Sequence, residues 1–258
     1  MNRKSQVIAI LGATGHIAKS IIYSFKDEPN FALHLFTRSE AKTKAFAKEI
    51  KLQNAFVHSY QEFNEFDYSS IISCVGIGDP SRLRSYPDEV FFVSEEIDLL
   101  VIKYLINHQQ TTYINFSSGA VYGTEFNTPA NDNSSTEITI NELVLSDFYG
   151  IAKINAEAKH RSLRNYNIID LRIFGFYSKF IDLQRPFFLS EVVSSLKTKK
   201  PFLTSNSCII RDYIHPNDLA LLVKRCMEYK NINAAFDVCS KKPISKLFYM
   251  LKKDIEEG

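Results

Sequence analysis

The feature that most constrains this chain is the point where its first apolar run stops. Residues 6–11, Gln-Val-Ile-Ala-Ile-Leu, are a short β-branched run of the kind carried by a strand buried on both faces. They lead straight into Gly12-Ala13-Thr14-Gly15-His16-Ile17-Ala18, after which Ile21, Ile22 and Phe25 recur at helical spacing. Strand, glycine turn and helix in that order make a βα unit whose turn faces a ligand. Glycine lets the backbone approach a pyrophosphate, and a helix N-terminus offers unpaired N–H groups with a partial positive charge. The spacing is Gly-x-x-Gly-x-x-Ala, and Ala18 is small enough for close helix–strand packing. Gly12, Thr14, Gly15, His16 and Ile17 are therefore candidate cofactor-binding residues. The plain alternative is an ordinary βα turn.

The alternation continues. Further strands are expected at 31–37, 55–58, 69–76, 112–118 and 167–174, with helices at 41–50 and 88–107. The long helix shows a wide apolar face through Val90, Ile97, Leu100, Val101, Tyr104 and Leu105. Residues 78–84 read as a polar loop with Arg82 and Arg84 solvated, and 124–139 as a polar loop walling the site. Beyond 175 the alternation loosens; residues 190–196 are helical, and Asn217 or Asp218 caps a later helix. The expected fold class is α/β, a doubly wound parallel sheet with right-handed crossovers. Such sheets bind ligands at the carboxyl ends of their strands, where Gly12, Arg38, Gly76 and Ser118 all fall. No acid ends the second strand to hold a ribose 2′-hydroxyl. Arg38 with Ser39 offers a site for a 2′-phosphate instead, which favours NADP(H) over NAD(H). Otherwise Arg38 is a solvated charge.

Composition removes other classes. A net charge of +2 gives no polyanion-binding surface, and the basic run at 197–200 reads as a solvated loop, so no nucleic-acid partner is expected. Cys74, Cys208, Cys226 and Cys239 have no Cys-x-x-Cys spacing, which fits structural thiols in a reduced, cytoplasmic protein. The six histidines form no His-Glu-x-x-His pair, so no metal is expected. No apolar run approaches the ~18 residues of a membrane span, and residues 1–6 leave no room for a secretory segment.

Tyr149 and Lys153 stand four apart, which on a helix stacks phenol over ammonium. A free phenol has a pKa near ~10, and bringing one to neutrality takes roughly 4 kcal/mol. A cation at about 4 Å supplies that much at an effective dielectric of ~20. In a cleft such a pair makes a general acid or base; elsewhere it is ordinary helix surface.

With the glycine turn at 12–18, Ser117-Ser118-Gly119-Ala120-Val121-Tyr122-Gly123, Tyr149 with Lys153, and the stretch 211–220, the chain resembles the short-chain dehydrogenase/reductase superfamily. More narrowly it is similar to the extended branch, the sugar-nucleotide epimerases, dehydratases and reductases, with a further match at 171–174. The resemblance implies a catalytic set: Ser118 hydrogen-bonds the reacting oxygen, Tyr149 is the acid or base, and Lys153 tunes it and holds the nicotinamide ribose. It implies that Arg211 contacts substrate phosphates, unless it pairs with Asp212 or Asp218. It also implies a Rossmann domain over 1–174 with 217–240 returning to it, and a small substrate lobe from 175–216 and 241–258, shortened by the chain ending at Gly258. Two places depart from the pattern. Gly175 stands where many such enzymes carry an asparagine, and His58-Ser59 lacks the acid often found beside adenine. The expected activity is NADPH-dependent reduction of a nucleotide-linked keto-sugar, with hydride going to carbon and Tyr149 protonating oxygen. The alternatives are an epimerase or dehydratase, and a non-catalytic cofactor-binding regulator. The resemblance also pairs the helices at 88–107 and 148–164 across a homodimer.

Overall fold

A computed structural model describes residues 5–123, 128–131, 133–185, 187–202, 204 and 210–245. Cys208 and the end of the expected lobe, 246–258, lie outside these, as do 124–127 of the expected polar wall. The strands are β1 (Gln6–Leu11), β2 (Phe31–Phe36), β3 (Ala55–His58), β4 (Ser70–Ser73), β5 (Thr112–Ser118), β6 (Ile168–Ile173), β7 (Ile210–Arg211), β8 (Asn233–Val238) and β9 (Ile244–Ser245). The helices are α1 (His16–Phe25), α2 (Glu40–Glu49), α3 (Pro80–Ser85), α4 (Glu89–Asn107), α5 (Leu145–Ser162), α6 (Phe188–Thr198) and α7 (Pro216–Glu228).

Seven parallel strands form one sheet in the order β3-β2-β1-β4-β5-β6-β8, and β7 pairs antiparallel with β9 apart from it. The sheet is buried on both faces because its strands alternate apolar side chains between two cores. In β1, Ile8 and Ile10 join the core under α1 and α7, while Ala9 and Leu11 join the one under α4. Helices on both faces give the three-layer α/β architecture expected from the alternation. Leu11, Phe36 and Ser73 are in register at the carboxyl edge, and chain order reverses between β1 and β4. That reversal opens a crevice beside Gly12.

Three local expectations are corrected. Residues 80–85 are a helix rather than loop, because the Asp79 carboxylate accepts the Ser81 N–H at 2.9 Å and Pro80 sits in the first turn. The cap of α7 is His215, whose Nδ1 accepts the Asn217 N–H at 3.2 Å; Asn217 and Asp218 lie inside the helix. The fourth strand ends at Ser73, so Gly76 belongs to the following loop.

Candidate active site

The glycine turn is fixed by close approach. Gly12 has φ of +75°, and a Cβ there would lie 3.1 Å from Val75 Cγ2 and 3.3 Å from the Cys74 carbonyl carbon. The Gly15 N–H donates to the Gly12 carbonyl at 2.9 Å, and α1 then opens with no side chain capping its first turn. With Thr14 and Gly15 exposed, the uncapped first-turn N–H groups of α1 are open to an anion, and Ala18 is fully buried against the sheet. This cradle fits the pyrophosphate of a dinucleotide. The His16 ring lies tilted against Phe176, 5.5 Å between centres, and its Nε2 is buried without a partner among the described residues. Burial, and then the Arg185 charge, lower its pKa to about 4, so the ring is neutral at pH 7. Ile17 packs partly buried beside the α1 core.

Arg38 stands exposed just past β2, and the Ser39 N–H behind it donates to the Thr37 hydroxyl at 3.0 Å. Between that edge and the glycine turn stands Tyr60, which the motif reading missed. Its hydroxyl accepts the Gly12 N–H at 3.0 Å. Burial raises its pKa, against the Gly12 bond and the Arg38 charge. Tyr60 begins a 3-10 turn, Tyr60–Glu65, held by the Ser59 N–H donating to Glu62 at 2.8 Å. The Ser-x-x-Glu spacing at 59–62 was the available signal.

Helix α5 carries Tyr149 and Lys153. Lys153 is 4% exposed, and its Nζ donates to the Phe116 carbonyl near the end of β5 at 2.8 Å. The same Nζ lies 5.8 Å from the centre of the Tyr149 ring and 3.1 Å from where a Cβ on Gly76 would stand. The Tyr149 hydroxyl lies 3.3 Å from the corresponding position on Gly78. Thus the 76–78 loop packs on both side chains, and Asp79 behind it pairs with Arg185 at 3.1 Å. Ser118 ends β5 half-buried; its Oγ accepts the Ala120 N–H at 3.2 Å and starts the 3-10 turn Gly119–Tyr122. Helix α5 comes against that turn at Gly150, where a Cβ would stand 2.6 Å from the Ala120 carbonyl oxygen. Cys74 lies close enough to Lys153 to feel its charge, but burial dominates and pushes the thiol up. A protonated thiol is no nucleophile.

One predicted residue stands apart. Arg211 is exposed in β7, and its Nη1 donates to the Ile210 carbonyl at 3.2 Å. Among the described residues it makes no ion pair with Asp212 or Asp218 and no hydrogen bond to Ser118, Tyr149 or Lys153; Asp212 instead accepts the Ser240 N–H at 2.7 Å. Gly175 has a steric reason: a Cβ there would stand 2.4 Å from the Asp212 carbonyl oxygen and 2.9 Å from the Tyr213 ring. No asparagine fits without moving that crossing.

Comparison with known proteins follows the same lines. The family model described as "NAD dependent epimerase/dehydratase family" matches residues 8–239. No curated protein sequence matches the chain. Among solved structures, the chain is similar to a UDP-N-acetylglucosamine 4-epimerase from Methanobrevibacter ruminantium in complex with UDP-N-acetylmuramic acid. That match has a TM-score of 0.82 at 16% identity, covering 98% of this chain and 83% of the other. An ADP-L-glycero-D-manno-heptose-6-epimerase from Helicobacter pylori matches with a TM-score of 0.76 at 15% identity, covering 100% and 84%. A dTDP-glucose 4,6-dehydratase from Bacillus anthracis, in complex with NAD, matches with a TM-score of 0.77 at 12% identity, covering 98% and 82%. At such identities these likenesses carry the fold alone.

Proposed function

The chain belongs to the NAD dependent epimerase/dehydratase family, and from that premise we propose that it transforms a nucleotide-linked sugar by hydride transfer with Tyr149 as acid and base. The observation that carries this is the meeting of α5 with the end of β5. Lys153 is held by the Phe116 carbonyl two residues before Ser118, and Tyr149 is one turn above it. The cradle at Gly12–Ile17 would hold the pyrophosphate of a bound NAD(P), with Arg38, Ser39 and Tyr60 at its adenosine end and Gly76 and Lys153 toward the nicotinamide. When bound, that cofactor supplies the acceptor and donor of hydride. Tyr149 takes the hydroxyl proton as a sugar carbon is oxidised and returns it on reduction. Lys153 stabilises the phenolate between those steps, and Ser118 donates to the sugar oxygen where charge develops. Residues 175–216 and 241–258 are the substrate lobe of this reading, with Arg211 toward the nucleotide phosphates. The Rossmann part is 1–174 with 217–240, in keeping with the pairing of β8 to β6.

Of two forms of the reaction, we adopt return of the hydride to the same sugar, as in an epimerase or dehydratase, because the family model that matches residues 8–239 is the epimerase/dehydratase one. Net reduction of a keto-sugar by NADPH is the second reading, and the exposed Arg38 at the end of β2 favours it. One experiment separates them. With UDP- and dTDP-linked sugars and their 4-keto derivatives, the epimerase forms product while nicotinamide absorbance stays flat. The reductase loses absorbance in step with product, and Arg38→Ala then erases a preference for NADPH of roughly 1.5–3 kcal/mol. Absence of product with every nucleotide sugar sinks both readings.

We also infer a homodimer through α4 and α5, because α4 presents Phe92, Leu99 and Ile106 exposed at seven-residue spacing. A monomeric mass in light scattering at micromolar concentration overturns it.

A further inference from the structure

Beneath Ser118 lies a polar network that the reaction does not use. The Ser117 hydroxyl donates to Glu157 Oε1 at 2.5 Å. Arg172, from β6, grips the same carboxylate with a fork, Nη2 to Oε2 at 2.6 Å and Nε to both oxygens at 3.1 Å. Its Nη1 donates to the Tyr122 hydroxyl at 2.6 Å, and that hydroxyl donates to Asp237 of β8 at 3.0 Å. Ser117 and Glu157 are 4% and 7% exposed, and the fork of hydrogen bonds raises the Arg172 pKa further.

The arrangement has a direction. Lys153 and Glu157 are successive turns of α5, and each reaches the end of β5, at Phe116 and at Ser117. Ser118 follows immediately, and Tyr122, four residues on, is tied to Arg172 and Asp237. Ser118 is thereby flanked by two anchored residues, each bonded to the Glu157–Arg172 pair, which ties α5 to β6. We propose that Glu157 and Arg172 are positioning residues, which set Ser118 against Tyr149 and Lys153 without touching substrate. The turn after β5 meets α5 at Gly150 and Ala120, which carry no polar side chain to hold it there, and displacements of about 1 Å cost reaction rate far out of proportion to stability. This inference rests on the roles of Ser118 and Tyr149 given above.

The test uses the full chain with Glu157→Gln, and Ser117→Ala as the milder variant, which spares the Glu157–Arg172 pair. Hydrogen–deuterium exchange read peptide by peptide should rise roughly tenfold over 116–123 in Glu157→Gln and about threefold in Ser117→Ala, with the rest of the sheet unchanged. On a nucleotide sugar that the native chain converts, kcat should fall about tenfold or more in Glu157→Gln while nicotinamide cofactor Kd stays within about twofold. Exchange that is unchanged over 116–123, or that rises equally everywhere, overturns the positioning role. If Glu157→Gln does not fold, Ser117→Ala decides by the same readouts. If the native chain turns over no nucleotide sugar, the functional reading fails while the exchange result still decides this one.

Discussion

A buried ammonium is costly unless something accepts from it, and at Lys153 the acceptor is a backbone carbonyl rather than a carboxylate. Among the described residues no acid pairs with that ammonium, so its field remains for the phenol one turn above it. This makes the role of Tyr149 separable by a single atom. Tyr149→Phe removes the hydroxyl, keeps the ring against Gly78, and leaves Lys153 with its bond to Phe116. The expected result is turnover lowered at least ~100-fold, cofactor affinity within about twofold, and an unchanged melting temperature. Near-normal turnover would remove Tyr149 as the acid and base. Arg38, by contrast, is exposed, and beyond its charge on Tyr60 it acts through what it meets in solution.

At the scale of elements, the site depends on how closely α5 can approach the turn after β5. Alanine in the middle of a helix is ordinarily more stable than glycine by about 1 kcal/mol. At Gly150 the sign reverses, because the new methyl would stand 2.6 Å from the Ala120 carbonyl oxygen. Gly150→Ala should therefore destabilise the fold by about 1–3 kcal/mol in denaturant titration and lower turnover as α5 is displaced from Ser118. A variant as stable as the parent, with full turnover, would show the packing to be looser than this. The first six strands and the long helices were legible because β-branched runs and 3.6-residue periods are local signals, and so was the glycine turn; β7, β8 and β9 were not read as strands. Helix α3 was missed although Asp79-Pro80-Ser81 spells a helix start, because its residues carry no apolar face. His215 was missed as a cap because histidine rarely fills that role. The Ser117–Glu157–Arg172–Asp237 network leaves no local mark at all, since its members come from four elements between β5 and β8.

On the scale of the whole molecule, the two faces of the sheet are joined to their helices mainly by apolar packing, and on the α5 side, besides Glu157–Arg172, by a second buried ionic cluster. His160 of α5 is fully buried between two carboxylates. Its Nε2 lies 2.7 Å from Asp98 of α4, and its Nδ1 lies 2.9 Å from Asp170 of β6. Lys159 supports Asp98 at 3.0 Å, and Arg161 and Asn115 support Asp170 at 2.8 and 2.7 Å. Burial alone would push the imidazole down, but the bonds to Asp170 and Asp98 outweigh it and raise the pKa to about 9. The Asp98 carboxyl moves the other way: burial raises it, but its bonds to His160 and Lys159 win and hold it low. The strut is thus an imidazolium at neutral pH. Below the ordinary histidine pKa of ~6.5 both folded and unfolded chains are protonated, and the full contribution is present. Above it the unfolded chain sheds the proton first, so stability falls as pH rises toward about 9, where the folded histidine also titrates. The loss expected between those limits is about 3 kcal/mol, read as a falling urea midpoint from pH 6 to pH 9. Because Asp98 and Asp170 come from different elements, the loss should be accompanied by faster amide exchange where α4 and α5 pack together. A midpoint that stays flat or climbs over that range would mean that His160 is held as the neutral imidazole.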